Sequence, residues 1–281
     1  MKRFTYTIAT LFFALTLILS SCSKIDWKRW HKDNDKFLVP DCDVQQVYAE
    51  AVGGGVAVEM KKTYNGNGQV KTVGFYSHSA LSEDSYWHSF KLNYNASEQT
   101  VDIIDSASGD VILKAIFDDS SRLEELKPLP GDSSDYAYRR FDYDAARLVS
   151  IHGRWKTFDF IETFSYDANG NIVRRQTTDA SVVTEDAVYN YGAAAAGRQF
   201  YIPQYNYLTV LDPSMALIEY LGWVKDFSPK NILTSIEYLQ PLPQVHDYTG
   251  HIFDGSDKLA SYSVGDFVGG TKHIDWRCSG H

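Results

Sequence analysis

The sequence Thr163-Phe164-Ser165-Tyr166-Asp167-Ala168-Asn169-Gly170-Asn171-Ile172-Val173-Arg174-Arg175-Gln176 has the pattern of two β-strands joined by a tight turn. Before the turn, aromatic residues recur at even spacing on one strand face, with Glu162 as the exception: Phe160, Phe164 and Tyr166. An Asp can bond its own backbone two residues on, and Gly and Asn tolerate positive φ. We therefore predict a hairpin with positive φ at its tip, Asn169-Gly170.

The same unit recurs along the chain as an aromatic residue, then Asp or Asn, then a small polar turn, then an aliphatic residue. The aromatic and aliphatic members of the copies are Tyr64 and Val70, Tyr94 and Val101, Phe117 and Leu123, Tyr143 and Leu148, Tyr166 and Ile172, and Phe253 and Leu259. From Tyr64 to Tyr166 the copies start about every 23–30 residues, enough for two ordinary strands and two turns. We predict an array of hairpins whose aromatic and aliphatic members face each other across the strands.

Alternation of apolar and polar residues continues from Cys42 to the end of the chain, which predicts an all-β fold. We expect an antiparallel meander of roughly a dozen or more strands, curled or barrel-like. One segment, residues 212–221, instead predicts a short helix that plugs or covers the sheet. Asp212 is its candidate N-cap, Pro213 its first residue and Gly222 its stop signal.

The N-terminus has the features of a secretory signal: Lys2 and Arg3, an apolar run too short to span a membrane comfortably, and small residues. The sequence Leu19-Ser20-Ser21-Cys22 resembles the lipobox of bacterial lipoproteins, and the resemblance implies cleavage before a lipidated Cys22. An ordinary signal peptide with a chance Cys is the alternative. We predict a signal peptide over residues 1–21, a polar tether over 22–41 and a single β-hairpin-array domain over 42–281. Ser23 after the Cys points to an outer-membrane location, with the domain on the periplasmic or cell-surface face.

Charge and motifs exclude several function classes. The formal net charge of −9 leaves no basic stripe, so nucleic acid is not an expected partner. There is no Gly-x-Ser-x-Gly, His-Glu-x-x-His or Walker sequence. Asp167, Asn169 and Asn171 alternate as in an EF-hand, but position twelve is Thr178 rather than Glu. We therefore expect no catalytic residue, no metal site and no cofactor, and place His246, His251 and His273 on the surface.

Taken together, these segments resemble a family of lipoproteins of unknown function, described as porin-like, from Bacteroides-type gut bacteria. The sequences that carry the resemblance are Leu19–Cys22, Tyr143–Leu148, Tyr166–Ile172 and Ser228-Pro229-Lys230-Asn231-Ile232. The Tyr-Asp units are also similar to those of the large Tyr-Asp-repeat proteins, although here they are fewer and less regular. The resemblance implies a curled, barrel-like sheet, and because the family has no known activity, no site residue is transferred.

The sequence favours a non-enzymatic binding or accessory module anchored to the membrane through lipid, with a glycan or an envelope protein as partner. Trp87, Trp155 and Trp223 are the candidate stacking surfaces, because flat rings can lie against sugars; filling of the barrel interior is the alternative. A purely structural envelope protein is the second function considered, and a carbohydrate-active hydrolase ranks below both.

Two cysteines remain when Cys22 is assigned to lipid. Cys42 and Cys278 lie at opposite ends of the domain sequence, and curling of the sheet into a barrel would make the first and last strands neighbours. A disulfide between them would then close the seam in an oxidising compartment. Two buried free thiols are the alternative.

Overall fold

The fold is a closed antiparallel barrel, seen in a computed structural model that describes residues 42–50, 56–78, 85–129, 136–145, 147–192, 213–227, 229–240, 243–265 and 270–278. Within these residues, sixteen strands follow one another around the barrel, and β1 closes it by pairing with β16. The strands are β1 Cys42–Glu50, β2 Val56–Tyr64, β3 Val70–His78, β4 Ser85–Asn95, β5 Thr100–Asp105, β6 Val111–Phe117, β7 Leu123–Pro128, β8 Tyr138–Asp144, β9 Arg147–Trp155, β10 Phe158–Tyr166, β11 Ile172–Asp179, β12 Val182–Tyr191, β13 Leu233–Gln240, β14 Gln244–Phe253, β15 Leu259–Gly265 and β16 Gly270–Cys278. The predicted all-β, barrel-like fold with one short helix is confirmed.

Every repeated unit is a hairpin in which the aromatic residue faces its aliphatic partner directly across the strands. In the turn that follows Tyr166, the Asp167 carboxylate accepts hydrogen bonds from the backbone N–H groups of Asn169 and Asn171, both at 2.9 Å. Gly170 has a φ of 87°, whereas Asn169 is not in the positive-φ region, so the predicted tip is wrong at that residue. The turn combines an ordinary β-turn with a bulge at Tyr166, and this geometry needs only one left-handed residue.

A helix, α1 (Ser214–Leu221), lies inside the barrel. In the chain it comes after β12, and a 3₁₀ turn (Lys225–Phe227) follows it before β13. All its residues except Leu221 are buried, so it packs on every side rather than along one stripe. Pro213 lies before the first helical residue and Gly222 ends the helix with a φ of 66°. The predicted stop is therefore confirmed, while Asp212 lies outside the described residues.

Contacts of this segment reach strands far apart around the barrel, which makes it a plug. The Tyr220 ring packs 5.0 Å from that of Phe75 in β3, measured between centroids. Arg139 in β8 donates a hydrogen bond to the Ser214 hydroxyl at 2.6 Å. Beyond the helix, further contacts join the plug to β6, β9, β10 and the turn before β11: Trp223 with Phe117, Asp226 with the backbone N–H of Leu148, Phe227 with Phe164, and Asn231 with Asn171.

The two faces of the wall differ in chemistry. Inward positions are mostly aliphatic and aromatic, and many are fully buried between the wall and the plug. Outward positions carry ion pairs between neighbouring strands or within one strand: Lys114 with Asp102, Lys127 with Glu125, Arg140 with Asp142, Arg154 with Asp159, and Arg174 with Asp186. Such pairs belong in water, since a lipid-facing barrel wall carries an apolar band instead.

The seam between β1 and β16 is covalently closed. Cys42 lies directly opposite Cys278 across the seam, and a disulfide joins them. The described residues all belong to one compact unit, Val39–His281. The signal peptide, the tether and Cys22 lie outside the described residues, so their assignments remain predictions.

Across the part of the chain that the structure describes, no helix combines the length and apolar character needed to cross a bilayer.

Candidate functional site

The three tryptophans predicted as stacking surfaces lie on separate elements and do not form one site. Trp87 is on the outer face of β4, Trp155 ends β9, and Trp223 follows α1. Trp223 is half-buried and meets the Phe117 ring edge-on, with centroids 5.3 Å apart. It therefore contributes to packing inside the barrel, whereas Trp87 is exposed and Trp155 is half-buried on the β9–β10 hairpin.

Trp87 forms a flat platform on the outer wall. Its ring lies directly over Gly74 of β3, where an added Cβ would come within 2.4 Å of the indole. Glycine at this position therefore allows the ring to lie against the sheet, and 44% of Trp87 stays exposed. Tyr76, directly opposite Trp87 and 38% exposed, meets the indole edge-on with centroids 4.8 Å apart. One ring face is thus covered by backbone and the other is open to solvent.

A second aromatic cluster lies at the β9–β10 hairpin, where Trp155 is opposite Phe158. Trp155 is half-buried, and the Lys156 ammonium lies 4.6 Å from its ring centroid. Phe158 is 54% exposed although it shares a strand face with inward-facing Phe160. The Phe160 ring covers Gly153 on the opposite strand, as Trp87 covers Gly74. This hairpin and the strand ends next to Trp87 and Tyr76 lie at the same rim, opposite the aromatic-Asp turns.

Inside the barrel, an ionic cluster surrounds Tyr189 of β12. Arg175 lies 3.7 Å from the Glu185 carboxylate, which also accepts a 3.1 Å hydrogen bond from the Thr177 hydroxyl. Burial raises the pKa of Tyr189, with smaller effects from the Arg175 guanidinium and from the carboxylates of Glu219, Glu162 and Glu185. Because Glu219 belongs to α1, the cluster couples the plug electrostatically to the wall.

A second buried group lies beneath β1 and β2. Lys62 is 1% exposed, and its ammonium donates a 2.7 Å hydrogen bond to Asp43, which also accepts one at 3.0 Å from the Tyr64 phenol. Burial lowers the pKa of Lys62, and the Asp43 carboxylate opposes that shift. Nearby, Lys272 of β16 pairs with Glu59. The Lys62–Asp43 pair holds β2 to β1, the Lys272–Glu59 pair joins β16 to β2 across the seam, and the two charges within each pair neutralise each other.

Sequence reasoning missed these interior charges, although it carried a signal for them. Glu162, the exception in the aromatic pattern of β10, is buried on the inward face. Lys62 likewise interrupts the apolar face of β2 between Met60 and Tyr64. The surface placement of His246 is also wrong, because it lies opposite Ile236 on an inward face and is buried. Charged residues on an otherwise apolar strand face were thus the mark of the interior clusters.

Metal binding has no support in the described ranges, where no group of three or more His, Cys, Asp or Glu side chains could hold an ion. The alternating Asp167, Asn169 and Asn171 instead serve structure. The Asn171 side chain accepts hydrogen bonds from the backbone N–H groups of Lys230 and Asn231 at 2.7 and 3.0 Å. The hairpin of the repeated unit therefore holds the C-terminal end of the plug.

The barrel is similar to two solved structures. A porin-like protein from Bacteroides uniformis superposes with a TM-score of 0.56 at 13% identity, covering 83% of this chain and 96% of that one. A porin-like protein from Bacteroides vulgatus gives 0.52 at 12% identity, covering 83% and 98%. No protein-family model matches the chain, and no curated protein matches it in sequence. At this identity the comparison shows a shared porin-like fold, as the sequence resemblance implied, and leaves activity open.

Proposed function

We propose that this chain is an outer-membrane lipoprotein whose barrel lies in water and acts as a non-catalytic, glycan-binding accessory module. The lipobox at Leu19–Cys22 and the similarity to porin-like proteins of Bacteroides support the location. The ion pairs on the outward face fit a wall in water, so lipid on Cys22 would provide the membrane attachment. The partners are the membrane, through that lipid, and an extended saccharide; the acidic charge argues against nucleic acid.

The observation that carries the binding role is the Trp87 platform. α1 and inward side chains occupy the lumen, so an exposed ligand surface is best sought on the outer wall. An indole with one face on Gly74 and the other in solvent is held rigidly, so stacking a sugar ring costs little side-chain entropy. Tyr76 beside it supplies a phenol that can hydrogen-bond sugar hydroxyls.

A glycan-array screen of the full-length protein in mild non-ionic detergent tests this proposal. We expect binding to a subset of oligosaccharides, lost in Trp87→Ala and retained in Val245→Ala, which removes an exposed apolar side chain from β14. Absence of binding to every oligosaccharide, or equal binding by both variants, would contradict it. Membrane fractionation of Cys22→Ser tests the anchor separately, since loss of the lipid should release the protein.

A purely structural envelope protein is the alternative, and the disulfide-closed, plugged barrel favours this alternative over a hydrolase. A protein that binds no glycan but whose loss weakens the envelope would support that role. The interior carboxylates Glu162, Glu185 and Glu219 would be the first candidates for a hydrolase, but they lie with Arg175 around Tyr189, where the plug meets the wall. Release of shorter products from bound oligosaccharides would support a hydrolase instead.

A further inference from the structure

The outer wall around Trp87 carries two lysines that have no charged partner among the residues that the structure describes. Lys61 of β2 and Lys91 of β4 are both exposed. Neither side chain forms an ion pair or hydrogen bond with any residue that the structure describes. Elsewhere on the outer wall, cations such as Lys114, Arg140 and Arg174 have a carboxylate beside them. Two unpaired lysines on a protein with a net charge of −9 are therefore a local departure from its electrostatics.

Strand register places both lysines next to the aromatic platform. Lys61 is directly opposite Gly74, which is directly opposite Ser89 on its other side. Lys91 and Trp87 lie two residues on either side of Ser89, so both are diagonal neighbours of Gly74. Neighbouring strands are about 4.8 Å apart and diagonal pairs about 7–8 Å. Gly74 is thus covered by the indole and has Lys61 directly opposite it and Lys91 diagonal to it.

Among the residues that the structure describes, the carboxylates nearest to this patch in the strand register do not pair with its lysines. On the β1 side of Lys61, the outward carboxylate in the same cross-strand row is that of Asp275. Gln46 of β1 lies between them, so Asp275 is two strands away from Lys61. On the other side, Asp102 is already paired with Lys114. Glu59 of β2 pairs with Lys272. With respect to the described residues, the two ammonium groups are therefore available for a ligand anion.

We infer that the Trp87 platform takes an anionic saccharide, carrying carboxylate or sulfate groups, rather than a neutral one. The inference rests on the proposed function and names its ligand class. The ring provides a stacking surface for the sugar, and Lys61 and Lys91 provide flexible point charges for its anionic substituents. Complementary charge then distinguishes acidic from neutral sugars and speeds association at low salt.

Matched oligosaccharides that differ only in charge test the inference. Full-length protein in mild detergent is titrated with hexagalacturonate and its methyl ester, and with a chondroitin sulfate hexasaccharide and its desulfated form. We expect one charged member to bind about tenfold or more tightly than its neutral counterpart at low ionic strength, with the difference shrinking as salt is added. Trp87→Ala should abolish binding, while Trp87→Phe, which keeps a ring over Gly74, should retain part of it.

The lysine variants assign the charge dependence to this site. The double variant Lys61→Gln, Lys91→Gln should bind the charged oligosaccharide about fivefold more weakly and bind the neutral one with unchanged affinity. Lys127→Gln removes one positive charge from the outer wall at β7, away from the patch, and should change the binding of neither oligosaccharide. Equal binding of charged and neutral members overturns the inference but leaves the proposed function; binding of neither overturns both. Lysine-dependent binding to phosphatidylglycerol vesicles that Trp87→Ala leaves intact would assign the patch to a membrane surface and overturn it too.

Discussion

The phenol of Tyr166 donates a 2.6 Å hydrogen bond to the backbone carbonyl of Leu148, the aliphatic member of the preceding hairpin. The same tie recurs around the barrel: Tyr143 to Leu123, Tyr191 to Ile172 and, through its indole N–H, Trp276 to Leu259. Each acceptor is the aliphatic member of a repeated unit and is the first or second residue of the return strand. In the repeated units of Tyr143 and Tyr166, the aromatic hydroxyl therefore fixes one hairpin to the preceding one, and in the Tyr166 unit Asp167 also sets the turn.

We predict that Tyr166→Phe lowers the free energy of unfolding by about 1 kcal/mol, because it removes this bond but keeps the ring. The Arg147 guanidinium, 5.5 Å from the Tyr166 ring centroid, can still pack on phenylalanine. Denaturant unfolding measures the change. Tyr48→Phe is the control, since the Tyr48 ring stacks on His273 but its hydroxyl has no partner in the described part of the chain. Equal effects of the two variants would contradict a role for the bond.

Gly170→Ala should destabilise the protein by about 1 kcal/mol or more, because its φ of 87° is strained for any residue with a Cβ. Crowding is not the cause, as the nearest atom to an added Cβ is the end of the Arg147 side chain at 3.6 Å. Gly66→Ala, in the equivalent turn after Tyr64, should be neutral, since Gly66 lacks positive φ and has open space around it. A melting temperature unaffected by Gly170→Ala would count against the turn assignment.

Local pattern predicted much of this fold because each hairpin is specified within about 20 residues by its own turn and alternation. Closure of the barrel could also be predicted from the sequence, because a meander of this length that curls brings β1 next to β16. The interior contacts between distant parts of the chain were not predictable in this way: Lys272 and Glu59 are 213 residues apart, and Arg139 and Ser214 are 75 residues apart. The platform was predicted only in part. Trp87 was a candidate from the sequence. Its position over Gly74 could not be predicted, because it depends on the register between β3 and β4.

The Cys42–Cys278 disulfide should contribute strongly to stability, because it closes a loop with a sequence separation of 236 residues. The chain-entropy account assigns such a bridge about 4–5 kcal/mol, and measured values often fall below it. We expect reductant to lower the unfolding midpoint of the native protein, with no effect on a Cys42→Ser, Cys278→Ser double variant. Thiol labelling of the unfolded, unreduced chain should leave both cysteines unlabelled, and labelling of both would refute the bridge.

Asp43 should be far more important to stability than an exposed carboxylate, because it is the counter-ion of the fully buried Lys62. Asp43→Asn keeps an acceptor for the Tyr64 phenol but leaves an ammonium in the interior without a carboxylate. We predict a loss of about 3–5 kcal/mol in the free energy of unfolding, typical of breaking a buried pair. Asp159→Asn, which breaks the exposed pair with Arg154, should leave the free energy nearly unchanged.

Adding Lys62→Met to Asp43→Asn should recover most of that loss, since methionine fills similar space without a charge to desolvate. Burial already lowers the pKa of Lys62, so the folded protein holds its ammonium at a cost that the Asp43 carboxylate offsets. Denaturant unfolding of the single and double variants separates loss of the counter-ion from loss of packing. If the double variant is no more stable than Asp43→Asn alone, packing and the Tyr64 bond, rather than an unpaired charge, are the source of the effect.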